Sequence, residues 1–190
     1  MRCVFTLGFI FCAILVGFSQ EKNEVERRIK SDEVHDNAKE WLKETYKKRR
    51  KTKWYFQTDG NKEVFEAKLK HNKQLHSIEF SLDGQVQNIE ILIGEDELDT
   101  KVLESILKFL DTTYTKSSIS KLQIQYTGDE DDLEDVIDEQ EFEDAIVKYE
   151  MEFYGKNDKD DELWEALFDE HGKLIQKRII NLKATDNLDY

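Results

Sequence analysis

Ile78-Glu79-Phe80-Ser81-Leu82-Asp83-Gly84-Gln85-Val86-Gln87-Asn88-Ile89-Glu90-Ile91-Leu92-Ile93 sets Ile78, Phe80 and Leu82 in alternation with Glu79 and Ser81. After Asp83-Gly84 the period of two resumes, with Ile89, Ile91 and Ile93 on one face. A period of two is that of a β-strand, and Asp-Gly between two such runs is a hairpin turn signal. On the N-terminal side, Phe65, Ala67 and Leu69 alternate with Glu66, Lys68 and Lys70, and His71-Asn72-Lys73 makes the intervening turn. Further back, Trp54-Tyr55-Phe56-Gln57-Thr58 runs into Asp59-Gly60, a second turn of the same kind. The reading is of about four antiparallel strands, in which alternation places Tyr55 on the face opposite Trp54 and Phe56.

The period changes to that of a helix on both sides of this block. Val34, Ala38, Trp41, Leu42 and Tyr46 form one apolar helical face, with Ser31 as the expected N-cap and Lys47-Lys48-Arg49-Arg50-Lys51 at the C-terminus. Glu21 to Lys30 ahead of it is a charged lead-in, expected to be frayed or weakly helical. Downstream, Leu98, Val102, Ile106, Phe109, Leu110 and Thr113 mark a second amphipathic helix over 96–113. Leu122, Ile124 and Tyr126 then alternate in a strand, an acidic insertion spans 128–141, and Ile146 to Tyr154 is strand-like. Leu163 to Phe168 and Leu174 to Leu182 follow as strands around Asp169-Glu170-His171-Gly172. At Trp164 the alternation of Leu163, Glu165 and Leu167 with Trp164, Ala166 and Phe168 leaves the buried face open.

Composition narrows the function. The chain has 190 residues, 28 Lys+Arg against 42 Asp+Glu, no proline, two cysteines and a formal net charge of −14. Residues 1–19 carry one charge, Arg2, ahead of the apolar run Val4 to Val16, and Gly17 and Ser19 stand three and one residues before Gln20. This pattern predicts an export signal cleavable before Gln20. Both cysteines, Cys3 and Cys12, fall within it, which leaves the mature chain without a disulfide, a thiolate nucleophile or a cysteine metal site. The acidic balance argues against nucleic acid as a partner. Beyond the leader no run approaches the eighteen or so apolar residues a membrane span needs.

Charge is unevenly distributed. Lys22 to His76 holds sixteen Lys+Arg against ten Asp+Glu, whereas Asp129 to Glu170 holds twenty acids against three lysines. Calcium favours such oxygen-rich runs, yet Asp158-Lys159-Asp160-Asp161-Glu162-Leu163 has Leu where an EF-hand loop needs its turn-making Gly. His35, His71, His76 and His171 show no zinc spacing, and the five-residue gap between His71 and His76 points to no shared face. Neither a nucleophile elbow nor a phosphate-binding loop is present. The expectation is a protein with no catalytic residues, no metal and no cofactor.

The two halves can be superposed in sequence. Phe65-Glu66-Ala67-Lys68-Leu69 matches Tyr149-Glu150-Met151-Glu152-Phe153, and Phe80 to Val86 matches Phe168 to Leu174, with an aromatic four residues before each turn glycine. The order of helix, strand, strand, glycine turn and strand predicts an α+β fold of two tandem modules, each an amphipathic helix packed on a curved antiparallel β-sheet. Module 1 covers 20–95 and module 2 covers 96–183 with the 128–141 insertion, followed by a tail at 184–190.

On these turns and apolar spacings, an exported chain of this kind resembles the PepSY-like family, whose fold is likened to the β-lactamase-inhibitor protein and which is common in the envelope of Bacteroidota. The resemblance covers about residues 31–183. It implies helices on a curved sheet, a role in binding or inhibiting other proteins, and no catalytic residues. The expected function is that of a secreted or periplasmic protein-binding module directed at an envelope or secreted enzyme. Trp54, Tyr55 and Trp164 are the candidate partner-binding residues, since aromatics concentrate binding energy. The alternative is an acidic divalent-cation-binding or structural envelope protein without a dedicated partner.

Overall fold

The computed structural model describes residues 20–47, 49, 51–138, 141, 142 and 144–181; the expected leader and the tail lie outside them. Ten strands form one continuous sheet: β1 (Gln20–Lys22), β2 (Glu24–Ile29), β3 (Lys53–Asp59), β4 (Lys62–His71), β5 (Gln74–Phe80), β6 (Val86–Leu92), β7 (Lys116–Thr127), β8 (Ile146–Lys156), β9 (Asp161–Asp169) and β10 (Leu174–Ile180). From β2 to β10 each strand pairs antiparallel with the next, and β1 then pairs parallel with β10. The two edge strands β1 and β2 are separated in sequence by Asn23 alone. The sheet therefore curls until its edges approach, giving a nearly closed barrel.

Helices α1 (Asp36–Thr45), α2 (Thr100–Thr113) and α3 (Glu130–Asp138) complete the described elements, with short 3-10 turns at Ser31–Glu33 and Glu95–Glu97. His35, not Ser31, caps α1: its Nδ1 accepts from the Asn37 amide at 3.3 Å. Asp99 caps α2 by accepting from the Lys101 and Val102 amides. The helices lie on one face of the sheet over two apolar clusters. Trp41, Leu42, Trp54, Ile78, Phe80 and Ile89 anchor the first, and Ile106, Leu110, Met151, Phe153, Trp164 and Phe168 anchor the second.

The expectation of two tandem modules is corrected here. β6 pairs with β7 through Leu92↔Gln123, Ile91↔Ile124 and Ile89↔Tyr126, so the sheet runs unbroken across the expected boundary. Tyr126, Leu133 and Val136 from the second half pack into the first cluster with Trp41 and Phe80. The fold remains α+β, yet strands dominate it. Two local readings also change. The charged lead-in forms β1 and β2, because Glu24–Ile29 finds a full antiparallel partner in Trp54–Asp59. The acidic insertion contains α3, whose Leu133 and Val136 are buried while its acids face outward.

Two turns fix the helices to the sheet in the same way. In each, a glycine amide donates to a carbonyl three residues back, Gly84 to Ser81 and Gly172 to Asp169. Both glycines have positive φ, +87° and +72°. A Cβ on Gly84 would lie 2.9 Å from the Ala38 amide nitrogen of α1, and one on Gly172 would lie 2.6 Å from the Val102 carbonyl oxygen of α2. The glycines thus serve both backbone conformation and close approach.

Candidate functional site: the polar lumen of the sheet

Alternation sends every second residue of each strand away from the helices. On the helix side stand Trp54 and Phe56, Ile89 and Ile91, Leu122 and Ile124, and Met151 and Phe153. The opposite face collects Tyr55, Gln57, Glu66, Lys68, Ser77, Glu79, Asn88, Glu90, Gln123, Gln125, Glu150, Glu165 and Arg178 around a cavity of about 840 Å³. All ten strands contribute to its wall. This barrel has its main apolar contacts outside, beneath the helices, and a mostly polar wall within, with Leu75, Leu92 and Leu167 interspersed.

Several carboxylates in the lumen are held in place. Glu79 accepts from Asn88 Nδ2 at 2.8 Å, Lys62 Nζ at 2.5 Å and Gln57 Nε2 at 3.3 Å. Glu66 accepts from Ser77 Oγ and pairs with Lys68 Nζ at 3.2 Å. Lys68 also reaches Glu26 at 2.7 Å and lies 5.1 Å from the Tyr55 ring centre. Glu165 pairs with Arg178 Nε at 2.5 Å and with Lys22, whose ammonium also meets Glu24 at 2.9 Å. Burial alone would lower the Lys22 pKa, but Glu24 and Glu165 outweigh it and hold the ammonium charged.

Glu90 and Glu150 differ. Glu90 accepts from Gln125 Nε2 at 3.0 Å and forms no ion pair among the described residues. Glu150 has neither a hydrogen bond nor an ion pair there. Burial raises both pKa values; repulsion from Glu79 adds to it at Glu90, and repulsion from Glu90 and Glu165 at Glu150. Burial likewise pushes Glu66 up to about 7, against the opposing pull of Lys68. Three amide oxygens in the same lumen are buried without a hydrogen-bond partner among the described residues: Gln57 Oε1, Asn88 Oδ1 and Gln123 Oε1. An unpaired buried acceptor of this sort costs about 1–3 kcal/mol.

The three aromatic candidates separate. Tyr55 is half-buried and lines the lumen. Trp54 (6% exposed) and Trp164 (3%) stand on the helix side, Trp54 against Phe80 at 5.8 Å and Trp164 beneath the Lys177 ammonium at 3.8 Å. The polar alternate positions of the lumen, from Gln57 through Glu150, all stand in the sequence, but their spacing alone does not show that they enclose a cavity.

His71 and His76 come together across the β4–β5 hairpin, ring centres 5.5 Å apart, contrary to the expectation from their spacing. Both meet the Tyr46 ring edge to face, and the Tyr46 hydroxyl lies 3.1 Å from His76 Nδ1. Burial, with His71 nearby, lowers His76 to about 4. This is a core aromatic cluster. Among the described residues no group of three or more His, Cys, Asp or Glu is arranged to hold a metal ion, and no helix is long and apolar enough to cross a membrane.

No family model matches the chain, and no curated protein matches it. Solved structures do. A DUF2874 family protein from Bacteroides ovatus ATCC 8483 is similar at 17% identity and TM-score 0.55, covering 77% of this chain and 87% of that one. Another DUF2874 family protein, from Bacteroides uniformis ATCC 8492, aligns at 15% identity and TM-score 0.54 over 76% and 88%. A protein of Bacteroides eggerthii DSM 20697, provisionally described as periplasmic, aligns at 14% and TM-score 0.53 over 77% and 88%. The fold of this chain is thus one found among DUF2874 family proteins of Bacteroides.

Proposed function

We propose that the protein is an exported, non-enzymatic binding module whose recognition surface is the lumen of the sheet, and that its partner is a protein segment inserted there. The observation that carries this reading is the gathering of side chains from all ten strands around one cavity whose wall holds three unpartnered amide oxygens. Buried polar groups are ordinarily paired. An incoming segment with hydrogen-bond donors would satisfy them. Tyr55 stands at the wall as an aromatic contact, and the exposed Lys51, Lys53 and Lys70 supply a basic rim. Trp54 and Trp164 are buried in the apolar clusters on the other side of the sheet.

Export is supported by the apolar leader and by the provisional periplasmic description of the Bacteroides eggerthii relative in fold. The PepSY-like resemblance of the turns and spacings agrees with this reading. Inhibition of an envelope or secreted enzyme is the activity to assay. The test is capture by residues 20–190 from envelope and secreted fractions, set against Tyr55→Ala and Lys53→Glu. Both variants should keep the wild-type melting temperature. A protein retained by wild type and lost by both supports the lumen as the surface; identical capture by all three rejects it.

A further inference from the structure

The unpaired carboxylates of the lumen are not placed at random. Gln123 on β7 stands directly opposite Glu150 on β8, and Gln125, two residues on along the same face, stands opposite Glu90 on β6. Gln123 is therefore flanked by Glu150 across one strand gap and by Glu90 diagonally across the other, within the reach of cross-strand neighbours. Gln123 is only 5% exposed, and its Oε1 has no partner. Asn88, 7% exposed, stands two residues before Glu90 on the same face, with its Nδ2 committed to Glu79 and its Oδ1 unpartnered.

These atoms are all acceptors. Glu150 brings two oxygens, Glu90 has one oxygen beyond that bonded to Gln125, and Gln123 and Asn88 each present a carbonyl. The cations that act on Glu90 and Glu150 are otherwise engaged: Lys22 with Glu24 and Glu165, and Lys121 with Glu152 at 3.5 Å. Lys51, Lys53 and Lys70 are exposed. Lys22 and Lys121 act on both carboxylates through space, yet neither ammonium pairs directly with Glu90 or Glu150, so the floor is short of bonded donors at one place.

The geometry points to a guanidinium socket: the floor formed by Glu90, Gln123 and Glu150, with Asn88 beside it, receives an arginine side chain projected from the partner segment. This rests on the preceding reading of the lumen as the recognition surface and names the group that enters it. Guanidinium fits better than ammonium on two grounds. It carries five N–H donors in a planar fork, which suits acceptors spread over three adjacent strands. It is also more weakly hydrated, so less is lost when it leaves water. The seated cation would relieve the repulsion between Glu90 and Glu150 and satisfy amide oxygens that the chain leaves bare.

Titration calorimetry with acetyl-Gly-Arg-Gly-amide, at low ionic strength, tests the socket. Saturable 1:1 binding is expected, weakened at least tenfold when citrulline replaces arginine, because citrulline keeps the shape and loses the charge. Glu150→Gln and Glu90→Gln should each reduce arginine binding about tenfold while keeping or raising the melting temperature, so their loss of binding is not loss of fold. Equal binding of the citrulline peptide, or no effect of Glu150→Gln, overturns the socket. Tighter binding of free spermidine than of the arginine peptide also overturns it, since the site would then belong to a small amine. If the peptide fails while the capture experiment still returns a protein dependent on Tyr55 and Lys53, the arginine assignment falls and the lumen reading stands. If both fail, both fall.

Discussion

Arg178 on β10 and Asp59 on β3 lie 119 residues apart and are joined by an ion pair across the seam of the sheet. The Asn23 amide, between β1 and β2, donates to the other Asp59 oxygen at 3.3 Å. One carboxylate therefore ties the crossover segment to β3 and β10, the strands next to the two edges of the sheet. Arg178 spends its Nε on Glu165, so the clasp is continuous with the charge network of the lumen.

Asp59→Asn should lower stability by about 1–2 kcal/mol. The pair is mostly buried, yet Arg178 keeps Glu165 as a second partner, which moderates the usual cost of stranding a buried charge. Hydrogen exchange is the check: amides of β1, β2 and β10 should exchange faster than those of β5 to β8. Uniform protection across the sheet would contradict the clasp.

Gly172→Ala and Gly84→Ala should each cost more than 2 kcal/mol, about twice the usual penalty for glycine replaced in an unfavourable conformation. Gly172 should be the worse, because its Cβ would strike backbone at 2.6 Å rather than 2.9 Å. Urea denaturation of the two variants measures this directly.

Leu133→Ala should destabilise by about 2–5 kcal/mol, the range for a fully buried leucine truncated in a packed core. Were the acidic segment only a solvated appendage, the change would be near zero. Urea denaturation separates the two outcomes.

Glu150→Gln should stabilise the protein at pH 8 by an amount on the order of 1 kcal/mol, or about 2–4 °C. A carboxylate whose folded pKa is raised costs stability above that pKa, and the cost vanishes below its unfolded value. The advantage of the variant should therefore disappear near pH 4, and a scan of melting temperature between pH 4 and 8 would show it. Groups facing Glu150 that shape the curve are Glu90, Glu165, Lys22 and Lys121.

His76 works in the opposite direction along the same axis. Its folded pKa of about 4 lies below the ordinary 6.5, so the unfolded chain binds the extra proton between those values and stability falls as pH drops through that window. His76→Gln should remove this acid sensitivity at some packing cost. An unchanged slope of melting temperature against pH between 4 and 6.5 would contradict it.

Much of this architecture is written plainly in the chain. The alternation in Phe65–Leu69 and Ile78–Ile93 places eight residues on the correct face, and the glycine turns at Gly84 and Gly172 fall where the helices dock. What escaped has physical causes. In β2 only Ile29 is buried while Val25 is 55% exposed, so an edge strand facing a polar lumen lacks an apolar period. In α3 the run of acids masks Leu133, Val136 and Ile137, an apolar stripe that spans a single turn of helix. The lumen was hidden for a subtler reason. Glu90 and Glu150 in a strand read as solvent-facing residues, and nothing local distinguishes open water from a pocket enclosed by nine other strands. Nor could local periodicity reveal that β6 continues into β7 rather than ending a module.

The placement of apolar side chains outside the barrel wall divides labour within each strand. One set of alternate residues meets the helices and makes the molecule fold; the other set faces the lumen and is largely excused from that duty. Substitutions at lumen positions outside the ion pairs, such as Glu150, can therefore change the chemistry of the wall without endangering the scaffold, whereas those at Asp59 or Arg178 cannot. A chain built on this plan can alter the character of its hollow by rewriting every second letter of its strands.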